Sequence, residues 1–296
     1  MVVSEGSGRP RCVEASDEVK AQADALGEPG EAITHLELVP LGPLVHDAAE
    51  AMVADPSTFS VPTGFADLDH LTGGLVPGAL WVISGHTGVG KSVLAMDFVR
   101  SAAVRHGHPT LLVSRTESVE RLARRLLAAQ ARVPLPPLLM KPRQQDKERL
   151  EVAAQVLEAA PLVLAHGEAF NVRSLDEAVT ASPGDPERLQ LLIIDHLLAR
   201  ELPDALPYLR RFALGHQVAV VAVAQLDPRD RHARVNVDQI ADISLTVHRK
   251  DLYPGATPAP SAGEATFIIT RHRSGPIGRI QVAFQGQYGR FVDLQE

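Results

Sequence analysis

The octapeptide Gly85-His86-Thr87-Gly88-Val89-Gly90-Lys91-Ser92 fits the pattern G-x-x-x-x-G-K-[ST], and no other stretch restricts the fold as much. The pattern carries meaning only between a strand and a helix. Leu80 to Ser84 (LWVIS) reads as a short buried strand, and Val93 to His106 places Leu94, Phe98 and Ala102 on one helical face. Strand, loop and helix follow in the required order, where chance alone would give the octapeptide in about one chain of this length in a hundred.

Such a loop suits a polyphosphate. Short of side chains, it lets successive backbone N–H groups close around an anion at a helix N-terminus. Gly85, Gly88 and Gly90 permit the close approach, His86 contributes mainly backbone, and Thr87 and Val89 complete the binding loop. In the general scheme for this loop Lys91 reaches the β- and γ-phosphates and Ser92 holds Mg²⁺. ATP and Mg²⁺ are therefore the expected ligands.

At 296 residues with 45% apolar side chains, the chain can bury a sizeable core. Its single cysteine, Cys12, excludes an internal disulfide framework and a cysteine-rich zinc site. No apolar run reaches spanning length and the N-terminus lacks a secretory core, so a cytoplasmic protein without a membrane partner is expected. The net charge of −7 is unevenly spread. Residues 1–60 hold 11 acidic and 3 basic side chains, so the body is close to neutral and can still carry a local basic channel.

Residues 1–40 form an acidic leader with little periodicity, read as disordered apart from a weak helix near Asp17 to Leu26. A linker with a short amphipathic helix, Leu41 to Val53, occupies 41–60, and 61–296 forms the main domain. After the phosphate loop come a strand (Thr110 to Ser114), a helix (Glu117 to Val133, arginines outward), a helix (Gln144 to Ala159) and a strand (Leu162 to Ala165). Leu175 to Thr180 follows as a helix, and the apolar run Leu189 to Ile194 ends in Asp195. A carboxylate there suits the Mg²⁺ water shell, although many buried strands also end in Asp as a turn. Pro203 to Leu214 reads as a helix. Val218 to Ala224 reads as a strand tipped by Gln225, either a γ-phosphate sensor or a turn amide. Ile243 to His248, Ala265 to Arg271 and Ile280 to Phe284 read as strands around a Pro/Gly-rich insert, Tyr253 to Gly263. The expected class is α/β: a mainly parallel sheet flanked by helices and closed by antiparallel strands, with ligand at the strands' C-terminal ends.

With these residues placed, the chain from about Leu41 to Phe291 resembles the C-terminal RecA-like ATPase domain of DnaB-type replicative helicases. The shared residues run in order: Thr63-Gly64-Phe65 with Asp67-Leu68, Gly74-Leu75 to Pro77, the phosphate loop with Ala95-Met96, Leu191 to Asp195, Ala224-Gln225-Leu226, and Gln239 with Ala241-Asp242. Arg271-His272-Arg273-Ser274-Gly275-Pro276-Ile277-Gly278, followed by Phe284 to Phe291, is the most specific stretch and points away from the recombination-type relatives. The resemblance implies a RecA-like P-loop NTPase assembled as a homo-oligomeric, hexameric ring on single-stranded DNA. Arg273 then matches the arginine finger that reaches a neighbour's ATP, Arg271 its basic partner, and the helix at Leu41 to Val53 the linker that docks on the adjacent subunit.

Four departures accompany the resemblance. The acidic leader has no counterpart to the family's N-terminal helical domain, so primase binding is not expected. The catalytic glutamate aligns with Thr116, leaving Glu117 as the nearest carboxylate; its competing role is charge compensation at a helix start. The connection after Asp195 and the segment Asp227 to Val237 are both shorter than in the family, and these regions supply its DNA-gripping loops. Arg229, Arg231 and Arg234 are the basic residues left there, a DNA contact or a solvated turn. The two expectations are thus an ATP-dependent DNA helicase or translocase, and a divergent ATP-binding relative that does not unwind DNA.

Overall fold

The chain divides into two compact units, Met1–Asp55 and Pro56–Glu296. The computed structural model describes residues 41, 45, 60–135, 143–168, 170–180, 189–226, 237–249 and 263–294. The leader, nearly all of the expected linker helix, the arginines at 229, 231 and 234 and most of the Pro/Gly-rich insert lie outside these.

Nine strands form a single sheet in the order β3-β2-β4-β5-β1-β6-β7-β8-β9. The first six positions are parallel: β1 (Leu80–Ser84), β2 (Thr110–Ser114), β3 (Leu162–His166), β4 (Leu191–Leu198), β5 (Ala219–Gln225) and β6 (Ile243–His248). β7 (Glu264–His272), β8 (Gly278–Gln285) and β9 (Arg290–Asp293) extend it antiparallel. Parallel strands need long crossovers, and helices supply most of them: α1 (Ala66–Thr72) precedes β1, α2 (Lys91–Val99) joins β1 to β2, and α3 (Val119–Ala131) and α4 (Gln144–Glu158) join β2 to β3. α5 (Leu175–Thr180) precedes β4, and α6 (Leu202–His216) joins β4 to β5.

The continuous apolar runs of β1, β4 and β5 follow from burial on both faces. Alternation divides them between two cores. Trp81 and Ile83 face α2 with Leu94 and Phe98, whereas Leu80 and Val82 join Leu206 and Leu209 of α6 on the opposite face. Trp81 meets Phe98 edge-on at 6.1 Å, and Phe65, just ahead of α1, meets Phe267 of β7 at 5.2 Å. These contacts tie the antiparallel extension to the α2 side of the sheet.

Several expected boundaries move. α2 starts at Lys91, because Gly90 caps it at φ +105°, and after Val99 it widens into a π-type turn over Arg100–Arg105. α3 starts two residues later than expected, with Ser118 as its cap accepting from the Arg121 N–H, so Glu117 lies ahead of the helix. The acid in the first turn is Glu120. α1 and β9 were not expected from periodicity: each is short, and β9 is fixed by pairing with β8 rather than by pattern. No helix among the described residues is long and apolar enough to cross a membrane.

Candidate nucleotide site

The loop between β1 and α2 lies at the C-terminal edge of the parallel strands, where β1 separates β5 from β6. Gly85 adopts φ +142°, and a Cβ on it would lie 2.6 Å from the Val247 carbonyl oxygen of β6. Gly90 is equally restricted, since its Cβ would lie 2.8 Å from the Phe291 ring. Both glycines are demanded by the neighbouring strands.

Lys91 Nζ donates to the carbonyls of Gly85 and His86, both at 2.9 Å. The His86 contact to Lys91 is made by its backbone carbonyl. Burial pushes the Lys91 ammonium below its usual range, and Asp195 partly offsets this. Ser92, one residue on, donates from Oγ to Asp195 Oδ1 at 3.0 Å, closing the loop against β4.

β4 does not end at Asp195. It continues to Leu198, with a shift of register against β5 between Ile194 and Leu197. His196 occupies that irregularity at φ +73°, a region non-glycine residues enter at a cost of about 1–3 kcal/mol. The kink sits beside the residue whose aim matters: Asp195 is buried and turned to Ser92. Burial raises the Asp195 carboxyl above its ordinary range against the Ser92 hydrogen bond and the Arg125 charge.

A hydroxyl and a carboxylate oxygen 3.0 Å apart form a hard oxygen pair. That pair fits Mg²⁺, which keeps several waters and takes further oxygens from substrate phosphates rather than from an all-protein cage. No cluster of three or more His, Cys, Asp or Glu suited to a metal occurs among the described residues.

Glu117 reaches the same cleft, of about 290 Å³, along with Lys91, Asp195, His196 and Gln225. Ser114 Oγ accepts from the backbone N–H groups of Thr116 and Glu117 at 3.4 and 3.1 Å, which fixes the turn leaving β2. Thr116 is exposed. Glu117 Oε1 pairs with Arg125 Nη1 at 2.5 Å, so Arg125 faces inward, against the expectation that the α3 arginines all point outward. Gln225, exposed at the tip of β5, donates from Nε2 to Thr87 Oγ1 at 3.4 Å.

Arg271 and Arg273 lie elsewhere. Arg271 Nε donates to the Ala241 carbonyl at 3.0 Å, and the Arg273 N–H to the Asp242 carbonyl at 2.8 Å. Asp242 in turn accepts from the Leu80 N–H at 2.9 Å and from Arg210. Arg273 therefore sits level with the start of β1, about 16 Å of strand before Gly85, and Arg271, in register with Ser244 and Val82, about 10 Å before it.

A family model described as the DnaB-like helicase C terminal domain matches residues 60–293. The chain belongs to this family. The replicative DNA helicase DnaB of Leifsonia xyli subsp. xyli is 32% identical over 290 residues, covering 87% of this chain and 62% of that protein. DnaB of Haemophilus influenzae is 29% identical over 270 residues, covering 80% and 56%. The chain thus spans about three fifths of the length of these curated relatives. Among solved structures, a DnaB-like replicative helicase described with its primase interactions superposes with a TM-score of 0.74 at 20% identity, covering 94% of this chain and 71% of that one. The ATPase domain of G40P gives 0.74 at 20% identity over 87% of this chain and all of that domain, and the RadB recombinase 0.52 at 20% identity over 79% and 99%. The fold is the RecA-like one shared by these DnaB-family and recombinase structures.

Two members of the cleft were missed from sequence. Arg125 had a signal: Glu117, Arg121 and Arg125 recur at a spacing of four and share one side of α3 and its approach. His196 had none, because nothing in the apolar run beside it announces a left-handed residue.

Proposed function

We propose that this domain binds and hydrolyses Mg·ATP and uses the cycle, in a ring of like subunits, to drive a DnaB-type DNA helicase or translocase in the cytoplasm. The observation that carries the reading is the meeting of Lys91, Ser92 and Asp195 on one phosphate-binding loop. Lys91 would exchange its two loop carbonyls for β- and γ-phosphate oxygens, and the loop N–H groups would hold the remaining phosphate charge. Ser92 and Asp195 would hold Mg²⁺, which when bound neutralises charge on the transferring phosphate. Glu117 would take the proton of the attacking water, replacing the carboxylate that the family has one position earlier. Gln225, through Thr87, would couple the loop to the end of β5 and to the segment that follows it.

The position of Arg271 and Arg273, toward the end of the parallel strands opposite their own loop, supports hydrolysis between subunits, each pair completing a neighbour's site. Relatives named as replicative helicases support single-stranded DNA as the track, with Arg229, Arg231 and Arg234 as backbone contacts.

The decisive experiment measures ATPase rate and strand displacement with and without single-stranded DNA. Stimulation by the strand, with unwinding of a forked duplex, is expected. Hydrolysis indifferent to DNA and without displacement would instead favour a regulatory ATPase of the same fold. A salt titration of oligonucleotide binding separates contact by the three arginines from a merely solvated turn: affinity should fall steeply as salt rises and be lost when all three are alanine.

A further inference from the structure

Glu117 is poorly placed to accept a proton where it stands. Its Oε1 already accepts from Arg125 at 2.5 Å. Its Oε2 is buried, makes no hydrogen bond, and lies 3.9 Å from Arg121 Nε. Glu117 and Arg125 are both largely buried and both line the cleft with Lys91 and Asp195. Arg125 is also close enough to Asp195 for its charge to act there. The guanidinium therefore sits among two carboxylates and the loop to which the γ-phosphate would come.

We propose that Arg125 is a positioning residue that responds to the γ-phosphate and releases Glu117 only when a triphosphate is present. The proposal rests on the ATP-site reading above and adds to it. A guanidinium is a planar fork of donors that matches phosphate oxygens, and a γ-phosphate brings more charge than one carboxylate. A diphosphate leaves Arg125 on Glu117. A triphosphate draws it to a γ-oxygen, and Glu117 Oε1 then accepts a proton from water. The water oxygen forms its bond to the γ-phosphorus as the bond to the β,γ-bridging oxygen breaks. ADP leaves with that electron pair, and the proton passes from Glu117 to the released phosphate. Loss of the γ-phosphate restores the Arg125–Glu117 pair, so the base is exposed once per nucleotide.

The arrangement makes discrimination between ATP and ADP a property of Arg125, which a simple brace for α3 would not be. Dissociation constants for ADP and for a non-hydrolysable ATP analogue, with Mg²⁺, test this on the full chain. Arg125→Ala should weaken analogue binding by about 10- to 100-fold, the scale of one charge-assisted hydrogen bond, and leave ADP within about twofold. Arg125→Lys should recover part of the loss. Glu117→Gln removes the competitor, so it should raise the analogue-to-ADP preference while lowering kcat. This second arm holds even if Arg125→Ala fails to fold. An unchanged preference in Glu117→Gln, or equal losses for both nucleotides in a folded Arg125 variant, would overturn the proposal and leave the ATP-site reading standing. Wild-type protein that binds neither nucleotide would overturn both.

Discussion

Arg273 is anchored to Asp242 twice, by its backbone N–H at 2.8 Å and by its Nε at 3.5 Å from Oδ1. Asp242 also accepts from the N–H of Leu80, at the start of the strand that leads to the phosphate loop. Asp242 thus fixes the entry to β1 through its carboxylate and the position of Arg273 chiefly through its backbone carbonyl, and the Arg273 side chain is about half exposed. Arg273 lies at the end of the parallel strands opposite its own loop, the placement expected of a group that acts on a neighbouring molecule.

Complementation tests that placement. Lys91→Ala subunits and Arg273→Ala subunits should each hydrolyse ATP poorly alone. Mixed, they should regain part of the rate, because some interfaces combine an intact loop with an intact arginine. Full activity of a strictly monomeric protein would rule out the shared site.

Lys91→Ala by itself should reduce affinity for Mg·ATP by at least about 10-fold, since a partly buried ammonium directed to phosphate is worth more than an exposed one. Equilibrium binding of a fluorescent ATP analogue is the measurement. Wild-type affinity and turnover in this variant would remove the phosphate role from the loop.

Much of this was legible in the sequence, for identifiable reasons. The β1–loop–α2 unit and β2 follow from uninterrupted apolar runs and from glycines that have few other uses. Asp195 was legible as a residue but not as a geometry: the kink at His196 comes from pairing with β5, which local pattern does not record. β9 escaped because four residues carry too little periodicity, yet it supplies Phe291 beneath Gly90 and the N–H that meets Asp97. Glu117 appeared to belong to a helix start. A cap at Ser118 instead leaves it free to turn into the cleft.

Gly88 and Gly90 should separate ligand approach from folding. Both have positive φ, but a Cβ at Gly88 meets nothing within 4 Å, whereas at Gly90 it meets the Phe291 ring at 2.8 Å. That ring is held by Phe267 at 5.2 Å and Phe284 at 4.9 Å and has little room to yield. Gly88→Ala should therefore cost about 1–2 kcal/mol of backbone strain. Gly90→Ala should cost a further 1–3 kcal/mol or so from the overlap. Urea unfolding of the two variants decides, and equal destabilisation would mean that Phe291 gives way.

Asp97, on the buried side of α2, makes stability depend on pH. Its Oδ1 pairs with Arg100 at 2.8 Å and its Oδ2 accepts from the Phe291 N–H at 2.7 Å, joining the phosphate-loop helix to the last strand. Burial outweighs both partners and pushes the carboxyl up from 3.8 to about 7, and the same burial lowers Arg100, which remains a cation across the neutral range. The sign follows from proton binding. Below about pH 4 the group is protonated in folded and unfolded chains alike. Between about 4 and 7 the unfolded chain releases the proton while the folded one retains it, so stability falls as pH rises and levels off above 7. The total fall is of the order of a few kcal/mol at most, given about 1.4 kcal/mol for each pH unit of separation. Asp97→Asn keeps an acceptor for Phe291 and cannot ionise, so it should lie close to the wild type at pH 5, where the folded wild type holds Asp97 protonated. Its slope carries the test: urea midpoints at pH 5 and pH 8 should differ less for the variant than for the wild type, with all other titrating groups common to both. Parallel pH dependences would show that Asp97 stays ionised beside Arg100 and that the pair, rather than burial, governs it.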